Sequence, residues 1–263
     1  MIRSDQVHRV VVYGDFNCPW SRLAAQRAAR LQSAGHRIDW RAVEHDHGCA
    51  SRKRLAVGSL GDEIDQVRAL LLPEERLALA VAGFLPCTSA AVAAYAEGYG
   101  AGVAAAVRQL LFDAYWVDAV DIGDARVLRS LLVEVVRGGS SSSETLRDWG
   151  YAVDVTGGPI TATGHELVAR WKAEWSAIGA GAVPVVVVDG GTPLVGQDAV
   201  RGLGDLIERD APVVVPPAGP EPGLRPSDLP DLSWTTQHGS RWTRSYQDAA
   251  RAGLLPLGLG GRP

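Results

Sequence analysis

Residues 9–16 read Arg-Val-Val-Val-Tyr-Gly-Asp-Phe, a β-branched run that predicts a strand. The chain then passes into a helical period. Trp20, Leu23, Ala24, Ala28 and Leu31 form one face, and Arg22, Gln26 and Arg30 the other. Gly35 is placed to end that helix. Residues 36–44 alternate, with Ile38, Trp40 and Ala42 set against charged neighbours, and predict a second strand. A β-α-β unit within about 45 residues leaves room for a crossover helix and a parallel pair.

Beyond a polar loop at 45–54 the pattern is helical for about 90 residues, with helices expected near 62–72, 73–81, 88–99, 102–116 and 124–136. Ser141 with Glu144, and Thr163 with Glu166, are spaced as capping boxes that open two further helices. In the second of these, Leu167, Val168, Trp171, Trp175 and Ile178 share a face. Strand chemistry returns at 183–188, turns at Asp189-Gly190-Gly191, and pairs with 193–195 before a closing helix at 198–209. The expected order is βαβ, a helical block, then ββα, an α/β fold. Seven prolines from Pro212 to Pro230 predict a stiff connector. Trp234, Trp242 and Tyr246 predict that part of the remaining tail docks rather than staying mobile.

Composition narrows the function classes. With 46% hydrophobic and 21% charged residues, the 263-residue chain has globular rather than disordered composition. A formal charge of −4 argues against a nucleic-acid binder that works by neutralising phosphates. No apolar run approaches the ~20 residues of a membrane span. No basic segment followed by an apolar one reads as a secretory signal, so a cytoplasmic location is the expectation. Three cysteines are too few and too odd in number for a disulfide-built scaffold. Lys53 and Lys172 are the only lysines beside many arginines, which reads as GC-rich codon usage rather than function.

Candidate chemistry centres on Cys18, where a strand hands over to a helix. Unpaired N–H groups and the positive end of the helix dipole favour a thiolate there, which predicts a pKa below the usual ~8.5. Pro19 suits the first helical position. Ser21 can donate a hydrogen bond to the sulfur, and Asp15, three residues upstream, can tune it. The plainer alternative is a buried structural cysteine. Val183-Pro184 enters the later strand at a point where a cis-proline loop would leave backbone groups free. The run His45-Asp46-His47-Gly48-Cys49 offers zinc-type donors but no recognisable fourth ligand, so no metal is assigned.

Three motifs in order give the chain a relation. Asp15-Phe16-Asn17-Cys18-Pro19-Trp20-Ser21 resembles the Cys-Pro-Trp-Cys site of DsbA-like members of the thioredoxin superfamily. The segment from Gly181 through Val183-Pro184 to Gly190 is similar to their cis-proline loop. Leu111-Phe112-Asp113-Ala114-Tyr115-Trp116, followed by Asp121-Ile122-Gly123-Asp124, is similar to a stretch of their helical insertion. The resemblance implies a thioredoxin-like βαβ…ββα core interrupted by an all-helical insertion at about 60–150, in a domain of residues 1–212. Residues 213–263 would form a C-terminal extension through which a homodimer could assemble. It also implies Cys18 and Ser21 as catalytic residues, with Pro19, Trp20, Val183 and Pro184 flanking the substrate.

Ser21 replaces the second cysteine of the motif, and a hydroxyl cannot displace a trapped mixed disulfide. Monothiol exchange is therefore expected: Cys18 attacks a protein or small-molecule disulfide, and a glutathione- or mycothiol-like thiol resolves it. Cys49 and Cys87 are alternative resolving thiols. The same branch includes 2-hydroxychromene-2-carboxylate isomerases and kappa-class glutathione transferases, in which the bound thiol would be the nucleophile. A non-catalytic binding or accessory protein is the third reading.

Overall fold

The computed structural model describes residues 7–45, 53–54 and 60–210, all within one unit spanning Met1–Ala211. Strand β1 (Arg9–Gly14), helix α1 (Pro19–Ser33) and strand β2 (Arg37–Ala42) form the predicted β-α-β unit. The two strands pair in parallel, with Val12 opposite Trp40. Strand β5 (Val185–Val188) runs antiparallel to β1, with Val186 also opposite Val12, and β6 (Leu194–Val195) pairs antiparallel to β5. The sheet order is β2-β1-β5-β6. Because directly opposed residues point to the same face, Val12, Trp40 and Val186 form one row, and all three are buried.

Between the two halves of the sheet lie β3 (Lys53–Arg54), α2 (Gly61–Ala69), β4 (Phe84–Leu85), α3 (Ser89–Gly100), α4 (Ala104–Trp116), α5 (Ala125–Arg137), α6 (Glu144–Trp149) and α7 (Ala162–Ile178). Helix α8 (Gln197–Asp210) closes the domain and packs on α1. Trp171 on α7 is fully buried, in ring contact with Tyr95 and Tyr99 of α3. Leu167 and Trp175 are buried beside it, so the expected apolar face of this helix is the one that packs.

Two local expectations change. Residues 73–81 do not form a helix. Pro73 starts this segment, and tertiary partners take its polar groups: Glu75 bonds Arg27, and Ala80 N–H donates to the Trp116 carbonyl at 2.7 Å. The chain then forms β4, antiparallel to β3. The helix caps also move. Ser143, not Ser141, is the N-cap of α6, and Thr161, not Thr163, is the N-cap of α7. Thr161 Oγ1 accepts from Gly164 N–H at 2.9 Å. The acidic half of that capping box comes from another helix. Glu97 of α3 accepts the backbone N–H groups of Ile160 and of the N-cap Thr161, the place that Glu166 was expected to take at Thr163. The C-terminal extension, 213–263, lies outside the described residues.

Arg27 is a buried charge held from several elements. Its guanidinium donates to both Glu75 oxygens (2.9 and 2.8 Å) and to the carbonyls of Val200 and Leu70 (2.7 and 2.6 Å), joining α1, α8 and the segment after α2. Both side chains are at most 3% exposed. Removing one member leaves the other charge buried and unpaired. Glu75→Ala is expected to cost about 3–5 kcal/mol, while the double change Arg27→Met with Glu75→Leu costs clearly less; urea unfolding of the three proteins checks this.

Candidate functional site

The site is built on the turn between β1 and α1. Cys18 is the N-cap of α1, with extended backbone (φ −96°, ψ 123°), and Pro19 follows at the start of the helix. The turn closes locally through Cys18 N–H to the Asp15 carbonyl. It is also held from outside. Trp116 Nε1–H donates to the Phe16 carbonyl at 2.9 Å, Asn17 Nδ2–H donates to the Pro86 carbonyl at 3.1 Å, and the Phe16 and Phe112 rings pack with centroids 5.0 Å apart. Asp113 pairs with Arg22 on the first turn of α1. The 111–116 motif therefore clamps the cysteine-bearing turn. In the 121–124 motif, Gly123 lies so close to the Cys87 backbone that a Cβ would sit 2.8 Å from the Cys87 carbonyl oxygen. Asp124 caps α5 by accepting from Arg126 N–H.

Cys18, Ser21, Asp15 and Val183 converge. The Cys18 thiol donates to the Val183 carbonyl at 3.7 Å, and the Val183–Pro184 peptide is cis. Ser21, fully buried, accepts from Asp15 N–H at 3.2 Å and hydrogen-bonds the Cys18 sulfur through its hydroxyl and backbone N–H. Asp15 is fully buried as well. Its Oδ2 accepts from His45 twice, from the backbone N–H at 2.9 Å and from Nδ1 at 2.7 Å. Asp15 Oδ1 is buried with no hydrogen-bond partner among the described residues.

A cavity of about 330 Å³ opens on this cluster, walled by Asn17, Cys18, Pro19, His45 and Glu63 with Leu60 and Leu85. Trp20 is packed away, buried and hydrogen-bonded to Glu63. Val183 and Pro184 are also buried, and of this pair it is the Val183 carbonyl that meets the thiol.

The electrostatics reverse the expected shift of the thiol. Burial pushes Cys18 up to about 12, the Ser21 hydrogen bonds pull it down, and the Glu63 and Asp15 carboxylates push it up further. Desolvation of a residue only 6% exposed outweighs the favourable end of the helix. The resting thiol is protonated. Burial also raises Glu63, opposed by its Trp20 hydrogen bond and by His45.

His45 and Glu63 are the site residues that sequence reasoning missed. His45 stood out only as part of the zinc-type run, and its place beside Asp15 depends on a contact thirty residues apart in the chain. His47 and Cys49 lie outside the described residues, among which no group of three metal-type donors occurs. Cys87 is disulfide-bonded, so it is not a thiol in reserve for Cys18, which is itself a free thiol.

A family model described as the DSBA-like thioredoxin domain matches residues 9–208. The chain belongs to the DSBA-like thioredoxin family. The DSBA-like chain is similar in structure to a probable DsbA oxidoreductase from Streptomyces coelicolor, at 18% identity over 81% of this chain and 97% of that one, with a TM-score of 0.55. It is also similar to a 2-hydroxychromene-2-carboxylate isomerase, at 18% identity over 76% and 94% of the two chains, with a TM-score of 0.50. At these identities the likeness shows the fold. Comparison with curated protein sequences found no match. No described helix of this DSBA-like domain is long and apolar enough to cross a membrane.

The opposing influences on Cys18 can be separated by substitution. Ser21→Ala removes a hydrogen bond to the thiolate and is expected to slow iodoacetamide alkylation of Cys18 roughly tenfold or more at fixed pH. Glu63→Gln removes a nearby negative charge and is expected to speed the same reaction. Alkylation rates followed by intact mass check both.

Proposed function

We propose that this DSBA-like domain is a thiol–disulfide oxidoreductase that uses Cys18 as its single nucleophilic thiol. Its substrate is a protein or small-molecule disulfide, and a glutathione- or mycothiol-like thiol resolves the mixed disulfide. The observation that carries the reading is the position of the Cys18 sulfur, 3.7 Å from the carbonyl that precedes cis Pro184 and on the wall of an open cavity. A disulfide entering that cavity would meet the sulfur directly. Ser21 lies where it can stabilise a thiolate but cannot displace a bound partner, so release falls to an external thiol. The cavity walls support roles for Cys18 and Pro19, the buried Ser21 would act on the sulfur from behind that wall, and Val183 and Pro184 would shape the approach while Trp20 fixes the helix start. The domain would work in the cytoplasm, where small thiols are kept reduced; the disulfide at Cys87 is the observation that pulls the other way.

The raised Cys18 favours a second reading, a kappa-type thiol-dependent isomerase or transferase in which a bound small thiol is the nucleophile. Exposure to glutathione disulfide or mycothiol disulfide separates the two. Under the first reading the wild type gains one thiol adduct by intact mass, Cys18→Ser gains none, and disulfide reduction is lost with the thiol. Turnover of a small-thiol conjugation or isomerisation substrate by Cys18→Ser would decide for the second.

A further inference from the structure

Thiol exchange at Cys18 leaves open which disulfides reach the sulfur, and the walls of its cavity are not neutral. Leu60, Leu85 and Pro19 supply the apolar part. The polar part is rich in acceptors. Glu63, half-buried in the first turn of α2, brings a carboxylate to the wall. The Trp20 indole N–H, from the first turn of α1, hydrogen-bonds that carboxylate and holds it toward the site. No arginine or lysine pairs with Glu63 among the described residues. Asn17, also on the wall and 5% exposed, gives its amide hydrogen to the Pro86 carbonyl. Its Oδ1 has no hydrogen-bond partner among the described residues. Donors on the wall are committed elsewhere: the Cys18 thiol donates to the Val183 carbonyl, and buried Asp15 accepts from His45 through its backbone N–H and Nδ1.

We propose that this cavity takes compact, positively charged disulfides, with a protonated amine a few bonds from the sulfur, and that Glu63 sets the preference. The proposal rests on thiol exchange at Cys18 and says which substrates that exchange favours. Of the two carboxylates that act on the Cys18 sulfur, Glu63 acts more strongly. A charge carried close to the attacked sulfur therefore comes within its reach. An ammonium there meets an opposite charge, with Asn17 as a further acceptor on the same wall. A substrate carboxylate in that place meets a like charge where water is partly excluded, and repulsion is stronger there than in bulk water. Asp15, behind the wall, adds to the same sign and opposes whatever charge His45 carries. At about 330 Å³ the cavity is near the small end of the range for ligand pockets, which suits a compact disulfide.

The exchange balances without another oxidant or reductant. A Cys18–substrate disulfide forms, the substrate disulfide breaks, and the leaving aminothiolate takes up the proton that Cys18 gives up. The protein keeps one aminothiol adduct, which a second thiol then removes by attack on the substrate sulfur. The same wall ranks net-anionic glutathione below a neutral thiol as that second partner.

The test follows mixed-disulfide formation by intact mass with cystamine, hydroxyethyl disulfide and dithiodipropionate, which are cationic, neutral and anionic. It is run at about pH 7.5, above the usual carboxylate range and below the usual ammonium range. Each rate is divided by that of a free neutral thiol with the same disulfide, which removes intrinsic reactivity. Wild type is expected to favour cystamine over the neutral disulfide about tenfold and to disfavour the anionic one by a similar factor. Both ratios are expected to shrink in high salt. Glu63→Gln is expected to bring both ratios close to one. An effect through the acidity of the sulfur alone would raise all three rates together and leave the ratios in place. Asp62→Asn, which removes the exposed carboxylate next to Glu63, is expected to keep the wild-type ratios. Circular dichroism checks the fold of each variant. Equal normalised rates in wild type, ratios unmoved by Glu63→Gln, or an equal shift from Asp62→Asn overturn the charge selection and leave Cys18 chemistry intact. No adduct on wild type with any of the three overturns thiol exchange itself, and this preference with it.

Discussion

The turn that carries Cys18 cannot hold its own shape, and the rest of the molecule is arranged around that fact. Residues 15–18 leave the sheet and enter α1 with buried backbone groups that a turn of this length cannot satisfy internally, and such groups must find partners. Helix α4 supplies one through Trp116, which donates to the Phe16 carbonyl, and a second anchor runs from Asn17 to the Pro86 carbonyl. Phe112 and Asp113, from the same helix, meet Phe16 and Arg22. The helical insertion is therefore a support for the site. Its short connections matter for the same reason, since any side chain at Gly123 would push the Cys87 segment off its place beside the turn.

That support encloses the thiol, and enclosure sets its chemistry. A cysteine at a helix N-terminus gains from the dipole and from unpaired N–H groups. Here the cysteine is buried apart from the cavity wall it contributes to, Asp15 and Glu63 stand close by, and desolvation dominates. The serine in place of the second cysteine fits this arrangement. It is buried between Asp15 N–H and the sulfur, so it organises the turn as well as stabilising negative charge.

Periodicity found the elements with strong local signals. The β-branched run of β1, the apolar face of α1 and the Trp171 stripe of α7 each express a pattern whose period matches their structure. It failed where local pattern was weak and tertiary partners decided. Residues 73–81 read as helix by composition, yet the Arg27 guanidinium holds Glu75 in an irregular segment. At α7 the carboxylate completing the cap arrives from Glu97, on a helix some sixty residues earlier, so no spacing rule within the motif could place the start correctly.

The sequence by itself determined the α/β order, the position of Cys18 at a strand-to-helix junction, the proline that enters β5 and the loss of the second thiol, because each depends on residue identity and neighbours a few positions away. The tertiary structure decided the state of that thiol. How deeply a sulfur is buried, which carboxylates face it and which histidine shares its cavity are set by the packing of α2, α4 and the turn after β2, and desolvation and charge act through space rather than along the chain.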